Sequence, residues 1–336
     1  MHSTNKQSCT VVVCAYTLER WDDIEAGVRQ AEQQLAESGR EGLVLIVSDH
    51  NPDLYGKATT DLAGERVQVI ENARRRGLSG ARNTAVEQLS TDLVVFLDDD
   101  AVPEPGWLEA LLAPFQDPAV VATGGAAEPR WPDGCQRPAT LPAPPGQPGE
   151  LDWVVGCTYH GQPTTLAPVR NVMGCSMAFR TRVFDVTGGF GEDLGRVGKV
   201  PYGCEETELC IRATQAEPSS RILFEPRSLV RHRVSPDRLT WSYLWRRCYA
   251  EGISKAAVTE RTTRSASLST ELSYTTKVLP AAVLRELRTT PSSPRRGLAG
   301  AFAVVSGLAV TTLGYIVGRV AIRRGRTVSL KESSHP

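Results

Sequence analysis

Between residues 10 and 130, short apolar runs alternate with amphipathic stretches, and this order restricts the fold more than any other feature of the chain. Residues 10–15, 43–48, 67–70 and 93–97 read as buried strands. The segment 22–37 reads as a helix with Ile24, Val28, Ala31 and Leu35 on one face, and 79–89 as a second helix. Such alternation predicts an α/β fold with a mixed, mainly parallel sheet flanked by helices. Ligands of such sheets bind beyond the carboxyl ends of the strands. Asp49 and the triplet Asp98, Asp99 and Asp100 fall there.

The triplet follows Val94-Val95-Phe96-Leu97, so a buried strand delivers three carboxylates to one point. An unpaired ion is expensive to bury, and a divalent metal carrying phosphate oxygens is the natural partner. Hard oxygen ligands suit Mg²⁺ or Mn²⁺. The plain alternative is a solvated acidic turn. Lys plus Arg equals Asp plus Glu at 38 each, so no global field favours nucleic acid. The eight cysteines form no CxxC pair, and no N-terminal signal peptide is apparent; they read as free thiols in a reducing cytoplasm.

Further along, residues 129–168 hold nine prolines and read as a surface excursion, either a lid, part of an acceptor cleft, or a passive connection. Order returns at 169–180, followed by Gly188-Gly189-Phe190, a helix at 205–214, a strand at 222–224 leading to His232, and a helix at 242–259. Residues 297–318 carry no charge and are flanked by Arg295 and Arg296 on one side and Arg319, Arg323, Arg324 and Arg326 on the other. Twenty-two residues at ~1.5 Å each would cross a hydrocarbon core. Gly297, Gly300, Gly307, Gly314 and Gly318 weaken the span. A helix lying in an anionic cytoplasmic leaflet also fits, and one packed on the protein is the lesser alternative.

Strand one ends in Cys14-Ala15-Tyr16, strand two in Asp49, and a cationic loop then leads to Gly77-Leu78-Ser79-Gly80-Ala81-Arg82-Asn83 at a helix start, where amides bind phosphate. With Phe96-Leu97-Asp98-Asp99-Asp100, Gly188-Gly189-Phe190 and Glu205-Glu206-Thr207-Glu208-Leu209, this series resembles a family 2 nucleotide-sugar glycosyltransferase of the GT-A fold over about residues 8–260. The remainder, 261–336, would be a C-terminal extension with the apolar helix.

The resemblance implies that Ala15, Tyr16 and Glu19 line the base and ribose pocket, that Asp49 bonds the base, and that Arg82 and Asn83 lie near the nucleotide. Arg82 could instead be a structural ion-pair partner. Asp98 and Asp100 match the outer residues of the DxD motif, Asp98 toward ribose and metal and Asp100 on the metal, with Asp99 as bystander or helper. Glu206 maps to the general base, with Glu205 as substitute. Both could instead merely begin a helix, where acids suit the dipole. His232 sits where a histidine often completes metal coordination, although a structural role competes. Arg247, or else Arg246, resembles the arginine that neutralises the departing diphosphate. The expected reaction is an inverting transfer to a hydroxyl acceptor, with a uridine diphosphate sugar as the default donor. The apolar tail suggests a lipid-linked or envelope glycan as acceptor at the cytoplasmic face of the membrane.

Two other readings compete. Asp98 and Asp100 formally satisfy the signature of a haloacid-dehalogenase-type phosphatase, but that family's downstream Asp-Asp or GDxxxD is missing. A non-catalytic, membrane-docked sugar-binding module would have little need of the acids at 205–208.

Overall fold

The computed structural model describes residues 6–194, 203–262 and 271–324; Arg326 of the cationic flank lies outside them. The chain divides into two compact units interleaved in sequence. The first holds residues 6–127, 163–194 and 205–232; the second holds 128–162, 203–204, 233–262 and 271–324.

The first unit opens with β1 (Cys9–Ala15), α1 (Trp21–Ser38), β2 (Gly42–Ser48), α2 (Pro52–Asp61), β3 (Val67–Glu71), α3 (Leu78–Val86) and β4 (Leu93–Asp98). Then follow β5 (Ala101–Pro103), α4 (Trp107–Leu112), β6 (Val120–Arg130), β7 (Ala167–Pro168), β8 (Ser176–Arg180), α5 (Arg182–Thr187), α6 (Glu205–Ala216) and β9 (Arg221–Arg233). The sheet runs β3-β2-β1-β4-β8-β6-β9-β5, with β7 beside β9. The first four strands pair in parallel, whereas β4–β8, β8–β6 and β9–β5 are antiparallel. The sheet is therefore mixed, with an unbroken parallel run of β3, β2, β1 and β4 in the half that starts the chain.

The apolar runs are continuous because both faces of these strands are covered. Val11, Val13, Val44, Ile46, Val95 and Leu97 face a core shared with Ile24, Val28, Ala31 and Leu35 of α1 and with Trp107 of α4. Val12, Leu45, Val47, Val94 and Phe96 face the other side, where Phe179, Phe184 and Phe190 cluster edge-on around Phe96. Helix α1 ends at Gly39, whose φ of 65° is the left-handed stop that glycine takes without strain. Helix α2 begins on Asn51, whose side chain accepts from the Leu54 amide ahead of Pro52.

The second unit contains α7 (Trp241–Arg261), a π-helical turn at Tyr274–Val278, α8 (Leu279–Thr289) and α9 (Pro294–Arg323). The proline-rich segment is not a purely surface excursion. Leu141, Leu151, Val154, Val155 and Cys157 are buried with Leu244, Cys248, Ala303 and Val304 in this unit's core. Asp152 ties the segment down, accepting from the Gly149 amide (2.8 Å) and from Arg137 at 2.5 and 2.9 Å. The apolar residues there follow no period, so the sequence gives no sign that they share a side.

Helix α9 is long and apolar enough to cross a membrane by length and composition. One side of it packs backbone to backbone on α7. A Cβ at Gly314 would lie 2.3 Å from the Tyr249 carbonyl oxygen, and one at Gly252 only 2.1 Å from that of Thr311. The glycines that weaken a membrane span are thus what admits the partner helix. The opposite side exposes Leu298, Phe302, Val305, Leu313, Ile316 and Val320.

Candidate active site

Strand register brings the acids together. In β1, Cys14 lies opposite Asp98 of β4, and Ala15 opposite Ser48 of β2, so Asp49 and Asp98 leave the sheet at its carboxyl edge on either side of β1. Next to Asp100, Ala101 of β5 pairs with His232 of β9. That pairing carries His232 across the sheet until its Nε2 is 3.1 Å from Asp100 Oδ1. One ligand atom each from Asp98, Asp100 and His232 then falls within 4.8 Å of the others.

Cys14, Ala15, Tyr16, Arg20, Asp49, Leu78, Ala81, Asp98, Asp99 and Asp100 line a cavity that opens to solvent. Glu19, Arg82 and Asn83 are not among its lining residues. Glu19 is exposed on the turn after β1. Asn83 is engaged with the Gly-Gly-Phe turn, its side chain donating to the Phe190 carbonyl (2.9 Å) and accepting from the Phe190 amide (2.8 Å). Asp49 anchors the loop before α3, Oδ1 accepting from Asn72 (2.7 Å) and Oδ2 from the Gly77 amide (2.9 Å). A carboxylate oxygen has a second lone pair, so this leaves Asp49 acceptor capacity toward a base. Gly80 lets the same loop close: a Cβ there would sit 1.9 Å from the Arg75 carbonyl oxygen.

Arg82 links the two acidic clusters. It is 2 % exposed and donates to Glu205 Oε1 (2.9 Å), Asp98 Oδ1 (3.3 Å) and the Gly174 carbonyl (3.0 Å). Its guanidinium also lies over the rings of Phe96 and Phe190. Burial opposes its charge, but Glu205 and Asp98 outweigh that and hold its pKa above the ordinary arginine value. The sequence left open whether this arginine pairs with acids or meets the nucleotide; its observed partners are acids and a carbonyl.

The acids of α6 divide. Glu208 holds Arg212, which also donates to the Gly189 carbonyl and so fixes that turn. Glu205 is buried, with Oε1 on Arg82 and Oε2 lacking a hydrogen-bond partner among the described residues. Glu206 is half-buried.

Sequence reasoning assigned no role to Arg20. Its Nη1 donates to Asp99 Oδ1 and lies 3.0 Å from Asp100 Oδ2, and its guanidinium lies over the Tyr16 ring. The signal was available: three carboxylates demand a cation, and Arg20 is the first one after β1. Even so, burial together with Asp100 and Asp98 outweighs Arg20 and pushes the Asp99 carboxyl up to about 6.

The donor set fits a hard dication. Two carboxylates and an imidazole converge, and Asp99 Oδ2 beside them is buried without a hydrogen-bond partner among the described residues.

Arg246 and Arg247 lie on α7 in the second unit. Arg247 donates to Glu251 (2.8 Å) and lies over Trp153; Arg246 lies over Tyr243. Lys255 holds the other oxygen of Glu251 at 3.3 Å. Burial would raise the Glu251 carboxyl, but Lys255 and Arg247 prevail and hold it near about 2.

Residues 10–188, more than half of the 336-residue chain, match the family described as Glycosyl transferase family 2. The chain belongs to this family. The glucosyl-dolichyl phosphate glucuronosyltransferase of Haloferax volcanii is 30% identical over 248 residues, covering 73% of this chain and 75% of that protein. The pre-mycofactocin glycosyltransferase of Mycobacterium tuberculosis is 28% identical over 49% of this chain and 32% of its own length. Among solved structures, the mannosyltransferase PcManGT of Pyrobaculum calidifontis, in complex with GDP-Man and Mn²⁺, superposes with a TM-score of 0.58 at 18% identity. It covers 92% of this chain and 88% of its own. This family 2 enzyme is therefore a glycosyltransferase of the GT-A fold, and the phosphatase alternative falls.

Proposed function

We propose that this enzyme transfers a sugar from a nucleoside diphosphate sugar to a hydroxyl of a lipid-linked glycan at the cytoplasmic face of a membrane, inverting the anomeric carbon and requiring Mg²⁺ or Mn²⁺. The observation that carries the reading is the convergence of Asp98, Asp100 and His232 beside a cavity lined by Ala15, Tyr16 and Asp49. A relative acting on a dolichyl phosphate glycan supports the lipid-linked acceptor, and a neighbouring fold with GDP-Man and Mn²⁺ supports the donor class and the ion. The apolar outer side of α9, between Arg295 and Arg296 at one end and Arg323 and Arg324 at the other, supports the membrane.

Asp98, Asp100 and His232 would hold the ion. Once bound, it supplies positive charge that stabilises the departing diphosphate. Tyr16 and Ala15 offer a surface for the base. Glu206 takes the proton of the acceptor hydroxyl as its oxygen attacks the anomeric carbon, because Glu205 is held on Arg82. Arg247 and Arg246 remain candidates for the diphosphate through the resemblance alone.

A thermal-shift screen of nucleotide sugars with and without Mn²⁺ tests the reading, since a ligand that binds the folded state raises apparent stability. One nucleotide class should stabilise the wild type only with metal, and Asp100→Asn should lose that response while melting normally alone. Metal-independent stabilisation, or an unchanged response in Asp100→Asn, would refute it.

A further inference from the structure

We propose that Asp99 is a parking position for Arg20: the guanidinium, which bridges Asp99 and Asp100, swings wholly onto Asp99 when a dication is taken up. This inference rests on the metal site of the preceding reading.

Three observations meet here. First, both oxygens of Asp100 are engaged, Oδ1 with His232 Nε2 at 3.1 Å and Oδ2 with Arg20 Nη1 at 3.0 Å. A guanidinium on Oδ2 repels a dication seeking the same carboxylate, so Arg20 and the ion compete for Asp100. Second, Asp99 Oδ2 is buried and has no hydrogen-bond partner among the described residues, although Oδ1 of the same group accepts from Arg20. Buried polar atoms are seldom left orphaned. Third, an arginine fork can place two parallel N–H groups on one carboxylate. A small rotation from bridging to bidentate pairing therefore satisfies Asp99 Oδ2 and releases Asp100 Oδ2 together.

The exchange explains why an acid stands at the middle of the triplet although it is not one of the converging ligands. It also has a link to the cavity. Arg20 lies 5.2 Å over the ring of Tyr16, which lines the space where the base is proposed to sit. A ligand that shifts Tyr16 shifts the cation as well.

The test uses the full chain without nucleotide, with Mn²⁺ binding read from the electron paramagnetic resonance signal of the free ion. Wild-type binding and its loss in Asp100→Asn establish the site; if either fails, the metal reading and this inference fall together. Given both, Arg20→Gln should bind Mn²⁺ about tenfold more tightly, because a competing positive charge has gone. Asp99→Asn should bind about tenfold more weakly, because of the two carboxylates that Arg20 holds only Asp100 then remains. The double variant should bind as Arg20→Gln does. Unchanged or weaker binding by Arg20→Gln, or an Asp99→Asn penalty that persists in the double variant, would overturn the exchange while leaving the metal site standing. Should Arg20→Gln not fold, Mg²⁺ titration followed at arginine Nε–H resonances decides. One resonance should shift as the site fills in the wild type and shift only at about tenfold higher Mg²⁺ in Asp99→Asn; no metal-sensitive arginine would overturn the proposal.

Discussion

Replacing Arg82 by Met would test whether the two acidic clusters are held together as described. Met has similar length and can fill the slot between Phe96 and Phe190, so the loss is mainly electrostatic. Glu205, 4 % exposed, would lose the donor to Oε1 while Oε2 already lacks a hydrogen-bond partner among the described residues. Removing one member of a buried ion pair costs about 3–5 kcal/mol. In a domain of this size that corresponds to a fall in melting temperature on the order of 10 °C. Pairing Arg82→Met with Glu205→Leu removes the stranded charge and should recover most of the loss, since apolar replacements of buried pairs are often neutral. Urea titration and calorimetry of the wild type, both single variants and the pair give the coupling directly. A single Arg82→Met variant within about 1 kcal/mol of wild type, against the 3–5 expected, would refute the hub. So would a double variant no more stable than the single one.

Glu206→Gln should retain nucleotide-sugar binding by calorimetry while transfer falls about a hundredfold or more, the usual contribution of a general base; an equal fall in Glu205→Gln alone would move the base by one residue. Leu313→Asp combined with Ile316→Asp should leave the melting temperature unchanged, both residues being exposed, yet abolish co-sedimentation with vesicles containing anionic lipid; undiminished binding would remove α9 from the membrane contact. The Glu251 carboxyl is held near about 2 by Lys255 and Arg247 against the cost of burial. Its contribution is present above the unfolded value of 4.5 and is lost as pH falls through about 2. Glu251→Gln should therefore flatten the acid limb of the stability–pH curve, and an unaltered acid limb would contradict the ion-pair geometry.

The parallel half of the sheet was legible because each strand is a continuous apolar run long enough to be covered on both sides. The expected strands at 10–15, 43–48 and 93–97 each gain one residue at an end, the ordinary uncertainty of boundaries. Asp49 and Asp98 could be placed at the carboxyl edge for the same reason. What sequence could not supply was pairing. Nothing in Val230-Arg231-His232-Arg233 states that His232 lies opposite Ala101, and without that register the histidine is only a residue after a strand. Arg20 escaped assignment, and the choice between two roles for Arg82 stayed open, because an arginine's partners are set by tertiary approach: Arg82 reaches Glu205 across 123 positions of chain. The core role of residues 141–157 was hidden because proline breaks the periodicities by which a buried side is recognised.

The strand that presents His232 carries its own safeguard against misalignment. Ser228, Val230 and His232 point inward, while Arg231 is exposed and Arg233 only partly covered. A slip by a single residue exchanges the two sides of a strand, which would drive guanidinium groups into the space now filled by Val230 and the imidazole. The flanking arginines act as sentinels for alignment: their intolerance of the interior confines the histidine to the one pairing in which it can meet the acids.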